Sequence, residues 1–183
     1  MNDGLFKCLL QDVKQYNLPE ARWKITIYKA FVTKRGFRAL YIHRMKHLHK
    51  KSSHRFRYKF WMILDVVFNK TIEINDDAEI GPGFKISHPF SIVIGGCKIG
   101  NNCSINTRVS VGANYSIDEI GNRYPTLGDH VVIGPGAVVI GPINIGSNVV
   151  IGANSVITKD VPDNVVIVGS GRIIGEYDKK RFG

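Results

Sequence analysis

The sequence has no long apolar run, few cysteines, and a long stretch without a single acid. No segment of its 183 residues approaches the roughly 18 uncharged apolar positions of a membrane-spanning helix. Three scattered cysteines exclude a disulfide framework, and they make a reducing, cytoplasmic setting the default expectation. The opening MNDGLFKCLLQDVKQ contains acids and no long apolar block, so no secretory signal is expected there. Glycine is scarce at first: only Gly4 and Gly36 precede residue 81, and 17 follow. Acids are missing between Glu20 and Asp65, where 13 basic residues stand. What is present is ordinary for a folded domain, 44 % hydrophobic and 22 % charged, which excludes wholesale disorder.

The formal charge of +10 is unevenly placed. Residues 1–70 carry 16 Lys/Arg against 4 acids; residues 71–183 carry 9 against 11. We therefore divide the chain into a basic helical region, 1–70, a second domain, 71–175, and a short basic tail, 176–183. The segment 19–48 has apolar residues at 23, 27, 28, 31, 37, 40, 41, 45 and 48, close to helical spacing, with Gly36 as a break between two helices. RFRYKFWMILDVVF, 55–68, is a more apolar helix expected to pack on the second domain. Aromatic residues are interleaved with the positive charges. The plain reading is a solvated basic face. Contact with an anionic membrane surface is the functional alternative, and nucleic-acid binding is not expected without an accompanying motif. His43 and His47 have the spacing of paired metal ligands but no carboxylate partner, so they read as surface residues.

The second domain is organised by a six-residue repeat. From Ile74 the steps reach Ile80, Ile86 and Ile92, then Ile99, Ile105 and Val111. After an insertion, 113–126, they continue through Leu127, Ile133, Val139, Ile145, Ile151 and Ile157. One inward aliphatic per six residues fits a short strand and a tight turn. Three such units close a triangular coil of 18 residues. Stacked coils pair their backbones at about 4.8 Å, placing Ile133 against Ile151 and Leu127 against Ile145. The expected fold is mainly β, a parallel β-helix with an N-terminal α-helical region. Those helices would cap the first coil at Ile74.

The segments ISHPFSIVIGG (86–96), GNRYP (121–125) and IGANSVITKDVPDNVVIVGSGR (151–172) resemble the hexapeptide-repeat acyltransferases. Within them they resemble the serine acetyltransferase branch and its relatives that O-acetylate polysaccharides. The resemblance implies a left-handed coil, a homotrimer with active sites between subunits, and acetyl-CoA as co-substrate; a zinc site in such a coil would need three histidines, and with only His88 and His130 there no metal is expected. It implies that His88 is the general base on the acceptor hydroxyl, a task suited to imidazole. It further implies that Gly134, Pro135, Ala153, Thr158, Lys159 and Arg172 line the coenzyme site.

Two departures from the branch bear on the acceptor. The residue before the histidine is an aspartate in serine acetyltransferases and is Ser87 here. Their Arg-His-Pro loop is Arg123-Tyr124-Pro125 here. Ser87 supplies no anion for an amino acid's ammonium, and Tyr124 offers a hydroxyl and a flat face. From Ser87, Arg123 and Tyr124 as acceptor-binding residues, the expectation is a saccharide acceptor for surface or capsular polysaccharide. A serine O-acetyltransferase and a non-catalytic scaffold are the alternatives. Asp118 and Glu119 are candidates to orient His88 from the insertion. Cys97 and Cys103 read as buried small residues rather than nucleophiles.

Overall fold

The computed structural model describes residues 3–18, 23–50, 55–117, 119, 121–178 and 180. Four helices come first: α1 (Asp3–Lys14), α2 (Trp23–Thr33), α3 (Arg35–Lys50) and α4 (Arg55–Phe68). The break between α2 and α3 falls at Lys34, and the backbone stays nearly continuous, since the Arg38 amide donates to the Lys34 carbonyl. Gly36 therefore lies inside α3 rather than between helices. Its role is close approach: a Cβ there would sit 2.2 Å from the Ile86 carbonyl oxygen.

The remaining chain coils into three parallel sheets. The first face holds β1 (Ile72–Ile74), β4 (Ile92–Ile94), β7 (Ser110–Gly112), β10 (Val138–Ile140) and β13 (Val156–Ile157). The second holds β2 (Glu79–Ile80), β5 (Lys98–Ile99), β8 (Thr126–Leu127) and β11 (Asn144–Ile145). The third holds β3 (Lys85–Ile86), β6 (Ser104–Ile105), β9 (Val132–Ile133), β12 (Val150–Ile151) and β14 (Val165–Val168). A last strand, β15 (Arg172–Glu176), turns back antiparallel on β14, an element the repeat did not announce.

The ladders are those the six-residue period requires. Ile133 pairs with Ile151, and Leu127 with Ile145. One register differs. Ile74 stacks on Ile94, while Ile92 pairs with Ile72. The step from Ile86 is thus eight, and the next, to Ile99, is five. The cause is a bulged corner: Ser87 through Ser91 spans what Asn106 through Arg108 spans on the next coil. Those two extra residues push His88 outward. Cys97, Cys103 and Ser155 are buried beside the ladders, as their small size allows.

The first coil would expose an unpaired edge, and α1 and α3 close it with side chains. The Asp12 carboxylate accepts from the amides of Gly83 (2.9 Å) and Phe84 (3.1 Å). Arg44 donates to the carbonyls of Ile80 and Gly81, each at 2.8 Å, and forms a buried ion pair with Asp12 at 2.7 Å. Burial pushes the Asp12 carboxyl up; Arg44 and the two amides oppose that push. Tyr16 accepts from the Ile86 amide, and His43 donates from Nε2 to the Ala78 carbonyl at 3.1 Å. His43 is therefore a buried capping residue, not a surface one, with 4 % exposure. Lys46 sits between Asp65 and Asp76, 2.6 Å from each. Part of the basic stretch is thus spent on acids of the coil and of α4 rather than on solvent.

Candidate active site

His88 lies on the bulged corner between the third and first faces, exposed, with φ of 50°. A non-glycine residue in that conformation is held by its surroundings. Ser91, at the far end of the bulge, has φ of 52°, and the Phe90 carbonyl between them accepts from the Arg108 amide and the Thr107 hydroxyl. The loop is therefore fixed to the coil below it.

A pocket of about 450 Å³ opens beside His88. Ser87 and Pro89 line it from the corner, Lys85 from β3, and Lys34 and Arg35 from the α2–α3 junction. Among the described residues, none that lines it is acidic. The signal for Lys34 and Arg35 was present in the sequence as Gly36, whose missing side chain lets this junction approach residue 86. A larger hollow of about 900 Å³ lies against β1 and β4, but its Lys46, Asp65 and Asp76 are satisfied by one another.

The predicted coenzyme residues divide between two edges of the coil. Gly134, Pro135 and Ala153 stack below His88 on the same edge, where the Asn154 amide donates to the Pro135 carbonyl. A Cβ on Gly134 would lie 2.7 Å from the Ala153 nitrogen, so glycine permits this stacking. Thr158 and Lys159, both exposed, follow β13 and lie on the edge between the first and second faces. Arg172 is the first residue of β15, exposed, opposite Val168 across a turn through Gly169 and Gly171.

The insertion between β7 and β8 leaves the coil on that other edge. Tyr124 folds back with its ring on Gly95 and Gly96, where a Cβ at Gly95 would meet the ring at 2.6 Å. Asn122 holds it, donating to the Tyr124 carbonyl at 2.7 Å and accepting from its amide. Arg123 is exposed beside it. Within one chain, Arg123, Tyr124 and Lys159 thus occupy a different edge from His88. Glu119 is exposed on the insertion; Asp118 lies outside the described residues. Burial pushes the thiols of Cys97 and Cys103 up to about 12, so neither is a thiolate at neutral pH.

A family model described as bacterial transferase hexapeptide (six repeats) matches residues 124–159. The chain is 36 % identical over 181 residues to a serine acetyltransferase of Bacillus pumilus, covering 96 % of this chain and 80 % of that one. It is 37 % identical over 170 residues to a serine acetyltransferase of Bacillus subtilis, covering 88 % and 73 %. Among solved structures, the Brucella abortus serine acetyltransferase in complex with coenzyme A matches with a TM-score of 0.80 at 29 % identity, over 97 % of this chain and 70 % of that chain. The Neisseria gonorrhoeae enzyme in complex with serine matches with a TM-score of 0.78 at 29 % identity, over 95 % and 70 %. The coil has the left hand of this fold, against the usual right-handed preference of crossover connections.

These relatives overturn the expectation of a saccharide acceptor and of a role in polysaccharide synthesis. They match nearly the whole chain, helices included, and they are serine acetyltransferases. The physical reason lies in how Ser87 and Tyr124 are used. The Tyr124 ring packs on the two corner glycines, so its identity reports on that corner. Ser87 lacks a charge, but the pocket beside it is lined by the cations Lys34, Arg35 and Lys85.

Proposed function

The chain belongs to the serine acetyltransferase family of hexapeptide-repeat proteins and is an acetyl-CoA-dependent O-acetyltransferase, and we propose that its acceptor is free serine. The observation that carries this reading is the match to serine acetyltransferases over both the helices and the coil. The basic pocket beside His88 supports it, because Lys34, Arg35 and Lys85 suit a carboxylate. His88 takes the proton from the serine hydroxyl as its oxygen attacks the thioester carbonyl carbon. The tetrahedral adduct collapses, the carbon–sulfur bond breaks, and the coenzyme thiolate leaves and takes up the proton. Gly134, Pro135 and Ala153 form the coenzyme side of the His88 edge, and Arg172 faces solvent where phosphates would lie. Because Arg123, Tyr124, Thr158 and Lys159 sit on the other edge, the reading includes a homotrimer. In it the insertion edge of one subunit faces the His88 edge of its neighbour.

Release of free coenzyme A from acetyl-CoA with L-serine tests the proposal. Wild type should turn over serine, and His88→Ala should lose about 10²–10⁴-fold in kcat, the usual range for a general base. Turnover of other hydroxyl acceptors with none on serine would overturn the acceptor; an unaffected His88→Ala enzyme would overturn the base.

A further inference from the structure

The least expected surface of the molecule is the outer face of α4. Phe56, Phe60, Ile63 and Val67 recur at i, i+4, i+7 and i+11 and form one stripe along the helix. All four are exposed, Phe56 at 86 % and Ile63 at 63 %, and Val66 beside them reaches 75 %. No residue of α4 is buried. So continuous an apolar row on the surface of a folded chain marks an interaction site.

The inner face of the same helix is already engaged. The Trp61 ring lies against Tyr41 of α3, 5.8 Å between centroids; Asp65 pairs with Lys46; and the Tyr58 hydroxyl donates to Asp76. The helix is therefore anchored with its apolar stripe outward. The only acid of α4, Asp65, is neutralised in that contact, whereas Arg55, Arg57 and Lys59 of the first turns are exposed and flank the stripe.

We propose that α4 is a docking face for an anionic phospholipid bilayer, lying in the plane of the interface with its apolar stripe among the acyl chains. Apolar side chains flanked by cations match the two layers such a surface presents, hydrocarbon beneath negative headgroups. Charge on the face itself selects this occupant: Arg55, Arg57 and Lys59 flank the stripe and the only acid of α4 is engaged inward, so two copies of this face repel each other while an anionic membrane attracts it. No helix among the described residues is long and apolar enough to cross a membrane, so the contact is peripheral. Catalysis remains at the coil, and the acceptor reading is independent of this one.

Sedimentation of the full-length protein with vesicles tests it. The vesicles are phosphatidylcholine alone, or phosphatidylcholine with about one third phosphatidylglycerol, each at low and high salt. The expected result is binding to the anionic vesicles at low salt, weakened at least tenfold by high salt. The triple variants Phe60→Ser/Ile63→Ser/Val66→Ser and Arg55→Glu/Arg57→Glu/Lys59→Glu should each lose binding at least tenfold while retaining wild-type acetyltransferase rates. Absence of binding at low salt, or binding that survives both variants, overturns the proposal. So does a fall in solution mass of the apolar variant by light scattering without any lipid binding, which would assign the stripe to a contact between copies.

Discussion

His43 is neutral in the folded protein, and that neutrality has a consequence in acid. Burial, with Arg44 and Lys46 nearby, pushes its pKa down to about 4. The unfolded chain binds a proton on this ring near the ordinary value of about 6.5. Between those two values acid favours the unfolded state. The contribution of His43 is complete above about pH 6.5 and is lost as pH falls towards 4, on the order of 3 kcal/mol in all. Urea unfolding at pH 7 and pH 4.5 should show a smaller loss of stability for His43→Gln than for wild type. Overlapping pH profiles would place the acid sensitivity elsewhere. The four-residue spacing of His43 and His47 made them visible in the sequence, but their surroundings were not: a charge run cannot reveal that a coil edge 35 residues away needs a donor. The corner position of His88 was legible from its place two residues after the ladder residue Ile86, whereas Lys34 and Arg35 beside it, some fifty residues earlier in the chain, were not.

At the scale of elements, the coil was read from its period and the helices' task was not. Ladder positions depend on nearest neighbours in sequence, so six-residue steps located twelve residues that the structure buries. The thirteenth, Ile80, is only partly buried: it packs against the core but also lines an open hollow between the helices and the coil. The bulge at Ser87–Ser91 shifted one register to Ile94, since an extra two residues at a corner leave no periodic trace. The cap itself joins α1 to a turn across some seventy residues of chain, which no local pattern encodes. It also defines a weak point. Asp12→Ala leaves Arg44 buried without its carboxylate and removes the acceptor from two amides, so it should cost about 3–5 kcal/mol. Chemical denaturation measures this directly. A cost below about 1 kcal/mol would mean that water replaces the carboxylate at little expense.

For the whole molecule, the decisive fact is that one chain distributes its candidate site over two edges. His88 stands on one and Arg123 on another, and this division is what the sequence could not show, because motifs are read in order and edges are not. A site completed between subunits predicts complementation. His88→Ala and Arg123→Ala proteins, each impaired alone, should regain activity when refolded together. Random assembly of a cyclic trimer from equal amounts leaves about one interface in four with both residues intact, so about a quarter of wild-type activity is expected. No recovery beyond the mean of the separate variants would place the whole site within a single chain.

The contact between Asp12 and residues 83 and 84 has a further implication, one of timing. Synthesis begins at the N-terminus, so α1 and α3 leave the ribosome before any of the coil. Asp12, Tyr16 and Arg44, which hold residues 80–86 in the folded molecule, are therefore already made when that turn emerges. The first coil has a template to close on as it emerges, and each completed coil becomes the template for the next. Growth is thereby directional, with its seed on the side of the coil that is made before it.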